Sequence, residues 1–141
     1  MSRATTTTRA LLAPWLAAPL VAGACGGEPA ADPRAGEVVR TIRDFATADG
    51  AQACQLLTQD ALDRIYDDLE GCIERSDEFE RGEVKVESVL IGERGTRATA
   101  EARSLRGTDR FTVVARFVSP PGCPVPCPQG QWRISKVTPA R

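Results

Sequence analysis

The spacing of apolar residues changes at Glu83, and that change limits the folds open to the chain. Before it, apolar positions recur at helical steps; after it, they alternate. Between Gly36 and Ala48, Val38, Val39, Ile42, Phe45 and Ala46 share one helix face, with Glu37, Arg40, Arg43 and Asp44 between them. Asp49 is placed to cap a second, short helix through Ala51, Ala53, Cys54, Leu56 and Leu57. Thr58 is placed to cap a third, carried by Leu62, Ile65, Tyr66, Leu69 and Ile73 and interrupted at Gly71. Beyond Glu83, Val84, Val86 and Leu90 alternate with Lys85, while Val89 and Ile91 fall out of phase. That predicts a bulge near Glu87-Ser88. Arg97 to Leu105 alternates around Ala98, Ala100 and Ala102, and Phe111, Val113, Ala115 and Phe117 mark a third strand. Trp132, Ile134 and Val137 mark a fourth, with a second irregularity. Turn-like segments at Gly92–Gly95 and Gly107–Asp109 make consecutive strands antiparallel. Helices followed by a meander predict an α+β fold, with N-terminal helices packed on a four-stranded antiparallel sheet.

The 141 residues suit one such domain, assigned to residues 36–141. What precedes it has a different character. Residues 1–24 hold Arg3 and Arg9 but no acid, and an apolar run of twelve from Ala10 to Val21 follows Arg9. A basic start, a short apolar stretch and small residues after it describe a secretory signal. The run is shorter than the roughly 20 residues that a membrane span needs. Val21-Ala22-Gly23-Ala24-Cys25 then resembles the lipobox of bacterial lipoproteins, with Ala22 where the family usually has Leu. The resemblance implies that Cys25 is lipidated and becomes the mature N-terminus. Gly26 to Ala35, rich in Gly, Pro, Ala and charge, reads with Cys25 as a flexible tether over residues 25–35.

Lipidation of Cys25 would also account for the cysteine count. Five is an odd number for an exported protein, and removing Cys25 leaves Cys54, Cys72, Cys123 and Cys127. Of the three possible pairings, Cys54–Cys72 with Cys123–Cys127 keeps each bond within one supersecondary unit. Disulfides suit an oxidising compartment outside the membrane. The spacing of Cys123 and Cys127 is not that of a C-x-x-C redox pair.

Composition narrows the chemistry. The chain has no His, which excludes Cys/His zinc sites, Ser-His-Asp triads and any His base. The acids lack EF-hand spacing, so no metal and no cofactor is expected. A net charge of −1 argues against a nucleic-acid partner. That charge is unevenly spread: residues 36–82 hold 12 acidic and 5 basic side chains, and residues 83–141 hold 5 acidic and 10 basic. An acidic helical layer and a basic outer sheet face can orient a partner. The simpler reading, and the preferred one, is that they attract each other at their rims and that the rest is solvated.

The helix Val38-Val39-Arg40-Thr41-Ile42-Arg43-Asp44-Phe45, the block Ala51-Gln52-Ala53-Cys54-Gln55-Leu56-Leu57-Thr58, the second helical Cys72 and a sheet ending in Gly130-Gln131-Trp132-Arg133-Ile134 resemble the nuclear-transport-factor-two-like superfamily. This is also called the cystatin-like or SnoaL-like fold, and the chain looks in particular like small exported lipoproteins of actinobacteria. The resemblance covers roughly Ala35 to Val137 and implies a curved sheet wrapped around helices, a cone-like roll with an apolar pocket. The superfamily's fold hosts enzymes and non-enzymes alike, so fold alone assigns no activity. The His-Asp pair of its dehydratases has no counterpart here. Weak catalytic candidates are Asp44, Asp67 and Tyr66, although Asp67-Asp68 reads more simply as a solvated helix face and Tyr66 and Trp132 as core. The resulting expectation is a membrane-anchored, non-enzymatic extracytoplasmic domain that binds a small apolar ligand or an envelope protein. The alternative is a small pocket dehydratase, isomerase or hydrolase using an Asp general base. A buried carboxylate at the mouth of an apolar cavity, with Asp44 or Asp67 lining it beside an aromatic, would favour that alternative.

Overall fold

A computed structural model describes residues 32–124 and 127–140; the expected signal segment, the expected lipidation site Cys25 and the expected tether as far as Ala31 lie outside the described residues. The first helix, α1 (Pro33–Thr47), begins where a cap and a proline coincide. The Asp32 carboxylate accepts a hydrogen bond from the Arg34 backbone N–H at 3.0 Å and also pairs with the Arg34 guanidinium. Those contacts hold the Asp32 carboxyl below its usual range. Pro33 takes the first helical position, where its missing N–H has no intrahelical role. The helix therefore includes Pro33, Arg34 and Ala35, which were expected to be tether.

α2 (Gly50–Gln55) and α3 (Gln59–Ile65) start as their caps predict: Asp49 accepts from the Gln52 N–H at 2.9 Å and Thr58 from the Ala61 N–H at 3.3 Å. The expected third helix is in fact two. Asp67 sits in the left-handed region at φ 71°, a conformation Asp tolerates better than most residues, and this ends α3. Asp68 then caps α4 (Leu69–Glu74) by accepting the Gly71 N–H at 2.8 Å. Gly71 allows the tight junction rather than causing the break, because a Cβ there would press on the Tyr66 carbonyl oxygen. Losing the cap in Asp68→Ala is expected to lower stability by about 1 kcal/mol in denaturant unfolding. Asp67→Gly, which suits the left-handed backbone, should show no such loss. Equal losses at both positions would mean that the pair acts through charge and not through capping.

The sheet runs β1 (Val84–Ile91), β2 (Arg97–Ser104), β3 (Arg110–Val118) and β4 (Gln131–Pro139) in chain order, each neighbour antiparallel. Its register shifts twice. Glu87 has no partner between Val86 and Ser88, and Ser135 has none opposite Val114 and Ala115. Each bulge returns out-of-phase apolar residues to the helix-covered face, Val89 and Ile91 on β1 and Val137 on β4. Ala98, Ala100 and Ala102 on β2 are almost wholly buried, in a core with Val38, Ile42, Leu57, Leu62, Val113, Trp132 and Ile134. α1 packs against both β1 and β4. The outer edge of β4 is covered, since the Ile134 N–H donates to Leu56 O at 2.7 Å and the Thr58 N–H to Ile134 O at 2.9 Å.

Both disulfides join the pairs expected. Cys54–Cys72 ties α2 to α4 with both residues fully buried, and Cys123–Cys127 closes a small ring between β3 and β4.

Candidate functional site

The helix-covered face of the sheet is filled at one end and open at the other. At the filled end Trp132 stands edge-on to Phe117, ring centroids 5.5 Å apart. Gly130 lies so close to the Phe117 ring that a Cβ would collide with it. The Trp132 indole N–H is buried and has no hydrogen-bond partner among the described residues.

α1 runs from this end to the open one. Its first turn meets the β1–β2 turn, where the Arg34 guanidinium covers Gly95 so closely that no Cβ fits. Its last turn is held by a hydrogen bond from the Gly82 N–H to Ala46 O at 3.0 Å. Beside that last turn is a cleft of about 290 Å³. Ala102, Phe111 and Val113 come from the sheet, Ile42 and Phe45 from α1, and the half-exposed Val137 stands at the mouth. The exposed side chains of Glu80, Arg81 and Asp109 sit at its rim, and the half-buried Ser104 lines it as well. A second cleft, lined by Arg43, Thr47, Glu83, Lys85 and Leu105, adjoins it across Val84.

The sequence candidates lie elsewhere. Asp44 is exposed on α1 and does not line the cleft. Asp67 is an exposed junction residue, and Asp68 is a helix cap. Tyr66 packs against Phe79 with centroids 5.8 Å apart and lies under the Arg75 guanidinium at 5.3 Å. Burial pushes its phenol above the usual value, and the nearby Arg75 charge partly offsets this. Asp44, Asp67 and Tyr66 are not brought together, and none reaches the cleft.

The carboxylates that do line it, Glu80 and Asp109, escaped sequence reasoning because both belong to connecting segments without periodicity. Asp109 was traceable only through the pairing of Arg103 with Arg110, which puts the β2–β3 turn at this end of the sheet. Chemically the arrangement offers apolar contact with a polar margin. Among the described residues no group of three or more His, Cys, Asp or Glu side chains is placed to hold a metal ion, and no helix is long and apolar enough to cross a membrane.

Comparisons with protein-family models, curated proteins and solved structures find no match to this chain.

Proposed function

We propose that the chain is an extracytoplasmic domain, held at a bacterial cell membrane through lipidated Cys25, that binds a small apolar ligand or an apolar side chain of an envelope protein. The observation that carries this reading is the apolar cleft opening at the end of α1 opposite the tether. Its volume of about 290 Å³ is near the lower limit for small-molecule sites, which start at roughly 300 Å³. Binding is preferred to pocket catalysis because Asp44, Asp67 and Tyr66 all lie away from the cleft, and the two carboxylates that do line it, Glu80 and Asp109, are exposed to solvent rather than buried among its apolar side chains. The lipobox-like Val21 to Cys25 and the two disulfides support export and anchoring.

The cone-like, cystatin-like roll belongs to the same proposal. Edge strands of a flat four-stranded sheet lie about 14 Å apart, beyond the width of a helix of roughly 10 Å. That one helix packs against both β1 and β4 supports a curled sheet.

Native mass spectrometry of the full-length protein purified from bacterial membranes tests the reading. The expected spectrum shows a diacylglyceryl addition at Cys25, and an apolar adduct or a co-purifying envelope protein. Val137→Trp fills the mouth of the cleft and should remove the bound species at unchanged thermal stability. Cys25→Ser should abolish the lipid mass and the membrane retention. A bare polypeptide, with neither lipid nor bound species, would overturn the proposal.

A further inference from the structure

Three arginines stand directly opposite one another on the outer face of the sheet. Arg97 of β2 is in register with Arg116 of β3, and Arg116 with Arg133 of β4. Their strand neighbours Ala98, Ala115 and Ile134 are buried, so the guanidinium groups point away from the helices. With strands about 4.8 Å apart, the row is roughly 10 Å long. Like charges in directly opposed positions work against strand pairing. None of the ion pairs among the described residues involves these three side chains. Arg94, in the β1–β2 turn, extends the row and lines a surface cleft with Arg97 and Arg116, where Glu93 is the one acid.

Apolar surface adjoins the row. Leu90, paired with Thr99 on the same outer face, is 73% exposed, and Val118 at the end of β3 is 40% exposed. Residues 117–132, which include the loop closed by Cys123–Cys127, carry no charged side chain. Cationic side chains set among exposed apolar ones suit an interface between water and lipid.

The tether enters at this same end. Arg34 covers Gly95, which places the first turn of α1 beside Arg94 and Arg97. Asp32 is seven residues from Cys25, a reach of at most about 24 Å. We infer that this end of the sheet docks on an anionic phospholipid surface, the four arginines pairing with lipid phosphates and Leu90 and Val118 meeting the headgroup layer. Planar guanidinium groups bind phosphate in bidentate fashion. The acidic helical layer, on the other sheet face, is repelled from the same surface and fixes the orientation. The inference rests on the anchor reading for the short tether; the arginine row and its apolar flank are independent of it.

Full-length protein carrying Cys25→Ser, which removes the acylation site, is mixed with vesicles of phosphatidylcholine alone and of phosphatidylcholine with phosphatidylglycerol. Its partitioning is compared with that of the same chain also carrying Arg97→Gln, Arg116→Gln and Arg133→Gln. The segment before Cys25 is common to both, so the difference reports the sheet face. The expected loss is roughly fivefold per arginine, on the order of a hundredfold for the three, on anionic vesicles only and shrinking as salt is added. The triple variant should unfold at the same temperature as its parent or higher, because an opposed like-charge row has been neutralised. Equal partitioning of the two chains overturns the inference, whether or not Cys25 proves to be acylated. Salt-sensitive binding of inorganic polyphosphate without binding to anionic vesicles also overturns it, in favour of a soluble polyanion. Tight anionic-vesicle binding with no lipid on Cys25 retains the docking face and removes the anchor instead.

Discussion

Replacing Cys54 and Cys72 together with alanine is expected to lower the unfolding free energy by about 3 kcal/mol and the melting temperature by roughly 10 °C. The bond joins residues 18 apart and closes a large part of the helical layer on itself. Much of its effect comes from restricting the unfolded chain, which without it samples many more separations of α2 and α4. Both sulfurs also sit in the core, beside Leu57 and Leu62, so truncation adds lost packing to lost restraint. The pair Cys123 and Cys127, only four residues apart, provides the internal control. Its ring is already stiffened by prolines, and the matching double alanine variant should lose about 1 kcal/mol less, or still smaller an amount. Urea unfolding of the two variants, under conditions that keep the remaining disulfide oxidised, gives the comparison directly. Equal losses would mean that the size of the closed ring does not govern the stabilisation.

Trp132→Ala should cost about 3–5 kcal/mol, the range for deleting a large buried aromatic. The indole is 4% exposed, lies edge-on to Phe117 and fills the closed end of the helix-covered face. Without it the cavity would extend toward the filled end, and the variant should gain an apolar-dye binding site as it loses stability. Trp132→Phe is expected to lose markedly less. It keeps much of the packing and removes an indole N–H that is buried without a partner, a group whose desolvation opposes folding by about 1–3 kcal/mol. Calorimetric melting of both variants separates the two contributions. A phenylalanine variant as damaged as the alanine one would show that the N–H is satisfied in solution.

Much of the fold was legible in the residues. The out-of-phase valines and isoleucines at Val89, Ile91 and Val137 announced both bulges, because a period of two tolerates no slip without one. Asp49 and Thr58 announced two helix starts through the short side-chain oxygens that suit a cap. The split between α3 and α4 was hidden, since Leu62 to Ile73 keeps helical spacing across a break made by one backbone angle at Asp67. Asp32-Pro33 is a cap followed by a favoured first helical residue, but the Gly- and Pro-rich context made it read as tether. The cleft's rim was out of reach for a different reason. Where Glu80, Arg81 and Asp109 converge depends on register and on the position of α1, neither of which a turn residue encodes locally. The arginine row shows the same limit: alternation put each arginine on the outer face, but only the register opposed them.

Neither disulfide crosses between layers. One closes on the helices and the other within the β3–β4 connection, and α1 lies outside both rings. Among the described residues, the helix that walls the cleft is therefore held against the sheet by packing, with one hydrogen bond from the Gly82 N–H to Ala46 O at its end and no covalent staple. A pull applied at the N-terminus of α1 would load that one unstapled helix first, so the cleft is expected to open before either disulfide is stressed.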